Sequence, residues 1–132
     1  MGIGKCFTAI GAAAGLVLLM GSPLALAADH SMGFFVTSVG IGDGGNLGGL
    51  AGGDAHCKKL AEAAGSKGRT WRAYLSSQVA GKRGISARDR IGQGPWYNAK
   101  GDLIASDLDQ LHIQPNLVKR TAVDENGNLV KG

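Results

Sequence analysis

Between Lys67 and Arg90, seven cations stand against one acid, Asp89: Lys67, Arg69, Arg72, Lys82, Arg83, Arg88 and Arg90. Guanidinium and ammonium groups on neighbouring loops and strands build a positive surface that draws in polyanions. The alternative is a solvated face on which Arg88 pairs locally with Asp89. Nucleic acid is not the expected polyanion, because the N-terminal pattern places the domain outside the cytoplasm. Catalytic spacings give no support for an enzyme. There is no G-x-S-x-G and no H-E-x-x-H, and nothing in the spacing links His56 or His112 to a nucleophile. Asp124, Asn126 and Asn128 open like a calcium loop, but the glycine at its sixth position and the glutamate at its twelfth are missing, so a hairpin turn is expected. Gly40, Gly42 and Gly45 satisfy G-x-G-x-x-G after an apolar run. A dinucleotide site needs a helix to begin at once behind those glycines, and the first helix signal comes only at Asp54. The glycine-rich stretch is expected to be structural.

The N-terminus sets the compartment. Lys5 is the only charge before Asp29; an apolar run from Phe7 to Met20 follows it, then Gly21-Ser22-Pro23 and the small-x-small exit Ala25-Leu26-Ala27. That order predicts a cleavable secretory signal over residues 1–27, with the working domain at 28–132 secreted or periplasmic and without a membrane span. Of the 132 residues, 105 then remain, enough for one domain. The formal charge falls from +4 to +3 as Lys5 leaves. Cys6 would leave too, so Cys57 would be the sole cysteine. A lone thiol in an oxidising compartment implies an intermolecular bond, a reactive thiol, or a partner missing from this chain. Cleavage after Ala27 also puts His30 third from a free amine, where amine, backbone nitrogens and imidazole can bind copper in a square plane.

The elements that must position these groups are short. Phe34 to Val39 is apolar and β-rich, a strand. Gly40 to Gly53 holds eight glycines and is expected to be loop. Asp54 is read as a helix N-cap, with Cys57, Leu60, Ala61 and Ala64 forming one apolar stripe and Gly65 closing the helix. Thr70 to Ser76 alternates, placing Trp71, Ala73 and Leu75 on one face and Arg72 and Tyr74 on the other. Residues 78–90 make a basic connection. Trp96-Tyr97 starts a strand that turns at Lys100-Gly101 and returns through Leu103-Ile104. Asp107 to Leu111 predicts a helical turn, and Asn126-Gly127 a hairpin. The fold class is α+β: one main helix packed on short antiparallel strands with long loops.

Two runs carry a family resemblance: LGGLAGGDAHCKKLAEAAGSKGRTWRAYLSSQ from Leu47, and ARDRIGQGPWYNAKGDLIASDLDQLH from Ala87. Gly-x-Asp-x-x-Cys opening a helix, then Arg-Ala-aromatic-Leu-Ser-Ser, then Ala-Arg-Asp-Arg and a proline-led strand, resemble the endostatin-like branch of the C-type lectin fold and its bacterial secreted members. The resemblance implies a non-catalytic module that binds a carbohydrate or polyanionic surface ligand, with the arginines as its contact groups. It implies that Cys57 pairs near a C-terminus beyond this chain, so the domain is incomplete, and marginally stable or prone to form a disulfide-linked dimer through Cys57. It makes Asp54, Cys57 and Trp71 structural. Gln114-Pro115-Asn116 is similar to the calcium-binding triplet of sugar-binding members, where it surrounds a cis-proline; the Trp-Asn-Asp that completes that site is absent. The rival classes are a structural cell-envelope protein and a small exported enzyme.

Overall fold

A computed structural model describes residues 4–9 and 29–131. Among them the chain is a small α+β domain with three helices and two antiparallel sheets. Strands β1 (Lys5–Thr8), β2 (Phe34–Val36) and β3 (Trp71–Ala73) form a sheet in the order β2-β1-β3. Helix α1 (Gly49–Ala63) packs on β3. A one-turn helix α2 (Ala87–Arg90) leads to the hairpin β4 (Trp96–Tyr97) and β5 (Leu103–Ala105), and α3 (Leu108–Ile113) follows. Among the described residues, no helix is long and apolar enough to cross a membrane.

Strand alternation sends neighbouring side chains to opposite faces, and here both faces are covered. On one, Cys6, Phe35, Trp71 and Ala73 meet Cys57 and Ala61 of α1. On the other, Phe7, Phe34 and Val36 meet Ile91, Trp96, Ile104 and Ala105, with half-buried Tyr74 against them. The alternation expected around Trp71, Ala73 and Tyr74 is present, and so is the β4–β5 return. Asp107 caps α3, its side chain accepting from the Gln110 N–H. The Asn126-Gly127 turn is closed by a single bridge, Val123–Leu129, while Asp124 Oδ1 accepts from the amides of Asn126 and Asn128.

Several expectations are corrected. Lys5–Thr8, expected to belong to a leader, is the central strand of the sheet, while the cleavage pattern at Ala25–Ala27 lies outside the described residues. The partner of Cys57 is in this chain, Cys6, with Cα atoms 5.6 Å apart. Both sulfurs are buried and bonded, so neither is free to link a dimer. The strand from Phe34 ends at Val36 rather than Val39. Helix α1 begins at Gly49, inside the glycine stretch, with Gly48 at its N-cap in the left-handed region. Asp54 is therefore an internal helix residue. Helix propensity argues against glycine there, but packing overrides it. A Cβ at Gly53 would lie 2.7 Å from Leu75 Cδ1 and 3.0 Å from Ala73 Cβ, so the close approach of α1 to β3 needs a residue without a side chain. The helix closes as expected at Gly65, where the amides of Gly65 and Ser66 return to Glu62 and Ala61.

Candidate functional site

Freed from the cap, Asp54 becomes the centre of a charge cluster. Its Oδ2 takes Nη2 of Arg90 at 2.6 Å and Nη1 of Arg72 at 2.9 Å, and its Oδ1 accepts the Ala73 N–H at 2.9 Å. Arg90 also donates to the carbonyls of Ala73 and Leu75. The Arg90 and Asp54 side chains are only 11% and 13% exposed, against 43% for Arg72. Burial raises the Asp54 carboxyl most, but the Ala73 amide and the two arginines together outweigh it and hold the group below the ordinary value of 3.8. This cluster ties α1, β3 and α2 together.

The seven cations thus separate into groups with different duties. Arg90 and Arg72 share the single carboxylate of Asp54. Arg88 pairs with Asp109 of α3 at 2.6 Å, not with Asp89. Arg69 donates Nη1 to Ser31 Oγ (2.9 Å) and to the Met32 carbonyl (2.7 Å). Lys67, Lys82 and Arg83 have no ion pair among the described residues. Lys82 and Arg83 sit exposed on a loop closed by the Ser77–Ile85 bridge.

Lys67 and Arg69 share a polar cleft of about 460 Å³ at the C-terminal end of α1, with Ser31, Ser66, Asp29 and Glu125 also in its lining. The loop after the Gly65 cap delivers Lys67, and the run into β3 delivers Arg69. The Ser66 hydroxyl is buried without a hydrogen-bond partner. Glu125 is occupied by the Ser38 amide and hydroxyl. Asp29 accepts the Ser31 N–H, which, with the Ser31 hydroxyl, holds its carboxyl below the usual range. The cleft therefore offers cationic donors, the exposed Ser31 hydroxyl and the exposed Asp29 carboxylate together, a set suited to a polyhydroxyl molecule bearing negative charge.

The metal candidates fare differently. His30 stacks on Tyr97 with ring centroids 4.4 Å apart. The cis peptide among the described residues is Gly94–Pro95, not Gln114–Pro115. Asn116 spends its side-chain N–H on the Leu103 carbonyl and its backbone N–H on Ile104, which makes it a turn anchor. No cluster of three or more His, Cys, Asp or Glu side chains poised to hold a metal occurs among the described residues. Trp71 is buried, its indole N–H without a partner.

One arrangement escaped the sequence reading. Tyr74 and His112 meet at 2.7 Å, while Nδ1 of His112 lies 2.6 Å from the Leu108 carbonyl. A carbonyl only accepts, so Nδ1 carries hydrogen, and in the neutral ring the tyrosine hydroxyl then donates to Nε2. The two residues are 38 apart, and no motif announces them.

No family model, curated protein or solved structure matches this chain.

Proposed function

We propose that the protein is an exported, non-catalytic binding module of lectin-like type that recognises an acidic carbohydrate in the cleft of Lys67 and Arg69. One observation carries this reading. Arg69 is held by two hydrogen bonds through a single nitrogen, to Ser31 and Met32, and lines the same cleft as Lys67. A pre-positioned guanidinium suits a carboxylate or sulfate, and the surrounding acceptors suit sugar hydroxyls. The motif resemblance and the leader pattern support the lectin-like class and export. The broader seven-residue patch contributes less, because three of its members are already paired with Asp54 and Asp109.

The test is affinity for heparin-type and uronate-containing glycans as a function of salt. Lys67→Ala and Arg69→Ala should each weaken binding about tenfold or more, as expected for loss of a charge-assisted contact, while Arg83→Ala changes it little. Equal retention of the wild type and both cleft variants refutes the site. No retention of the wild type on any glycan favours the structural envelope reading.

A further inference from the structure

Strand β1 is bonded along both edges by partners distant in sequence. Cys6 pairs across with Phe35 on one side and Ala73 on the other, and Phe7 with Phe34 and Arg72. Beyond these ladders, Lys5 and Gly4 carbonyls accept from the amides of Tyr74 and Thr37, both at 2.8 Å. The Thr8 and Ala9 amides donate to Gly33 and Thr70. The Phe7 ring fills a pocket of three aromatics, with centroids 4.9 Å from Phe34, 5.5 Å from Trp96 and 5.7 Å from Tyr74. Cys6 is buried on the opposite face, bonded to Cys57. β2 and β3 share no ladder; they are bonded to each other only through β1, with the Phe35 and Trp71 rings in contact across it at 5.0 Å between centroids.

We propose that the groove between β2 and β3 is an exchangeable strand-binding site, whose ligand is an extended segment carrying a cysteine followed directly by an aromatic residue. Cys57 is its point of covalent exchange. In this structure the occupant is the chain's own Lys5–Thr8. Main-chain ladders supply affinity in such sites, and side-chain pockets supply selectivity: here a sulfur on the α1 face and a ring on the other. An empty groove would leave two open sheet edges, which seek another strand. Cutting the chain between Ala9 and Asp29 makes the occupant a separate peptide, still held by both ladders and the disulfide. Exchange then balances without an outside oxidant. The thiolate of an incoming segment attacks the Cys6–Cys57 bond, a new bond to Cys57 forms, and Cys6 leaves as a thiolate that takes up the proton the incoming thiol gave up. Burial of both sulfurs makes fraying of β1 the gate.

The experiment uses the full chain with a site-specific protease sequence placed within residues 10–28 and cut after folding. On a non-reducing gel the two pieces should stay joined. A fluorescent peptide Gly-Lys-Cys-Phe-Thr-Ala, added with a trace of small thiol, should label the larger piece and release the smaller. The Phe7→Ala version of that peptide should label at least tenfold more slowly. Equal labelling by the two peptides overturns the proposal, since Cys57 would then be only an accessible sulfur; so does separation of the pieces before reduction. A second measurement needs no cut. In the intact oxidised chain the Tyr74 and Thr37 amides should be protected from hydrogen exchange. On reduction they should lose protection ahead of the Asn98 amide, which bonds Asp102 in the other sheet. Loss of all three together overturns a separately exchanging strand.

Discussion

Replacing Asp54 by alanine removes the acceptor on which α1, β3 and α2 converge. Arg72 is nearly half exposed, and its share of the cluster is at most about 1 kcal/mol. Arg90 is different: its guanidinium is almost wholly buried, and removing one partner of a buried pair costs about 3–5 kcal/mol, because the other charge is stranded. Its remaining bonds to the Ala73 and Leu75 carbonyls soften the loss, so about 3 kcal/mol is expected. At a urea slope of about 1.5 kcal/mol/M, that moves the unfolding midpoint by about 2 M. Tryptophan fluorescence in urea is the assay, since Trp71 and Trp96 lie on opposite faces of the sheet. Asp54→Asn keeps an acceptor for the Ala73 amide and should cost less than Asp54→Ala. Acid should imitate Asp54→Asn. A carboxyl held below its ordinary value contributes stability that is fully present above 3.8 and is lost as pH falls through the folded value. The wild-type midpoint should therefore drop over that range more steeply than that of Asp54→Asn. A midpoint for Asp54→Ala within about 0.3 M of wild type would refute the reasoning, as would Arg72→Ala costing as much as Arg90→Ala.

Two further predictions use the same urea assay. The Cys6–Cys57 link closes a loop of 51 residues, for which the chain-entropy relation gives about 4 kcal/mol. Cys6→Ser and full reduction should each lower stability by roughly that amount, and unchanged midpoints would place the two sulfurs apart. Gly53→Ala should destabilise by about 1 kcal/mol: crowding against Leu75 and Ala73 costs about 1–3, and better helix propensity returns about 1. A stabilised variant would show that α1 can shift away from β3 without loss.

What the sequence disclosed follows the range of the forces involved. The Trp71–Tyr74 alternation, the Lys100-Gly101 and Asn126-Gly127 turns, and the helical turn from Asp107 are local, and each appears where its residues put it. β1 was hidden because Lys5-Cys6-Phe7-Thr8 is only four residues long and opens an apolar run that reads as a leader; its strand character comes from partners about 30 and 65 residues away. Asp54 misled for the opposite reason. An acid just ahead of an apolar stripe looks like a cap, while the five residues from Gly49 that extend the helix backwards look like a loop until the Gly53 contact with Leu75 is known. At the candidate site, the residue types were legible and their allegiances were not. Nothing near Arg90 in sequence says that it belongs to Asp54, 36 positions earlier, and nothing marks Arg69 as the cation that remains available in a cleft.

Neighbours along the buried strands serve opposite layers, and this gives the disulfide a use during folding. A slip of β1 by one position would turn the Cys6 sulfur into the aromatic pocket and the Phe7 ring toward α1, since each single-residue shift inverts the two faces. Cys57 would then have nothing in reach to bond. Oxidation to the Cys6–Cys57 form is thus a chemical proofreading step, sealing only chains whose N-terminal strand has been laid down in the correct frame.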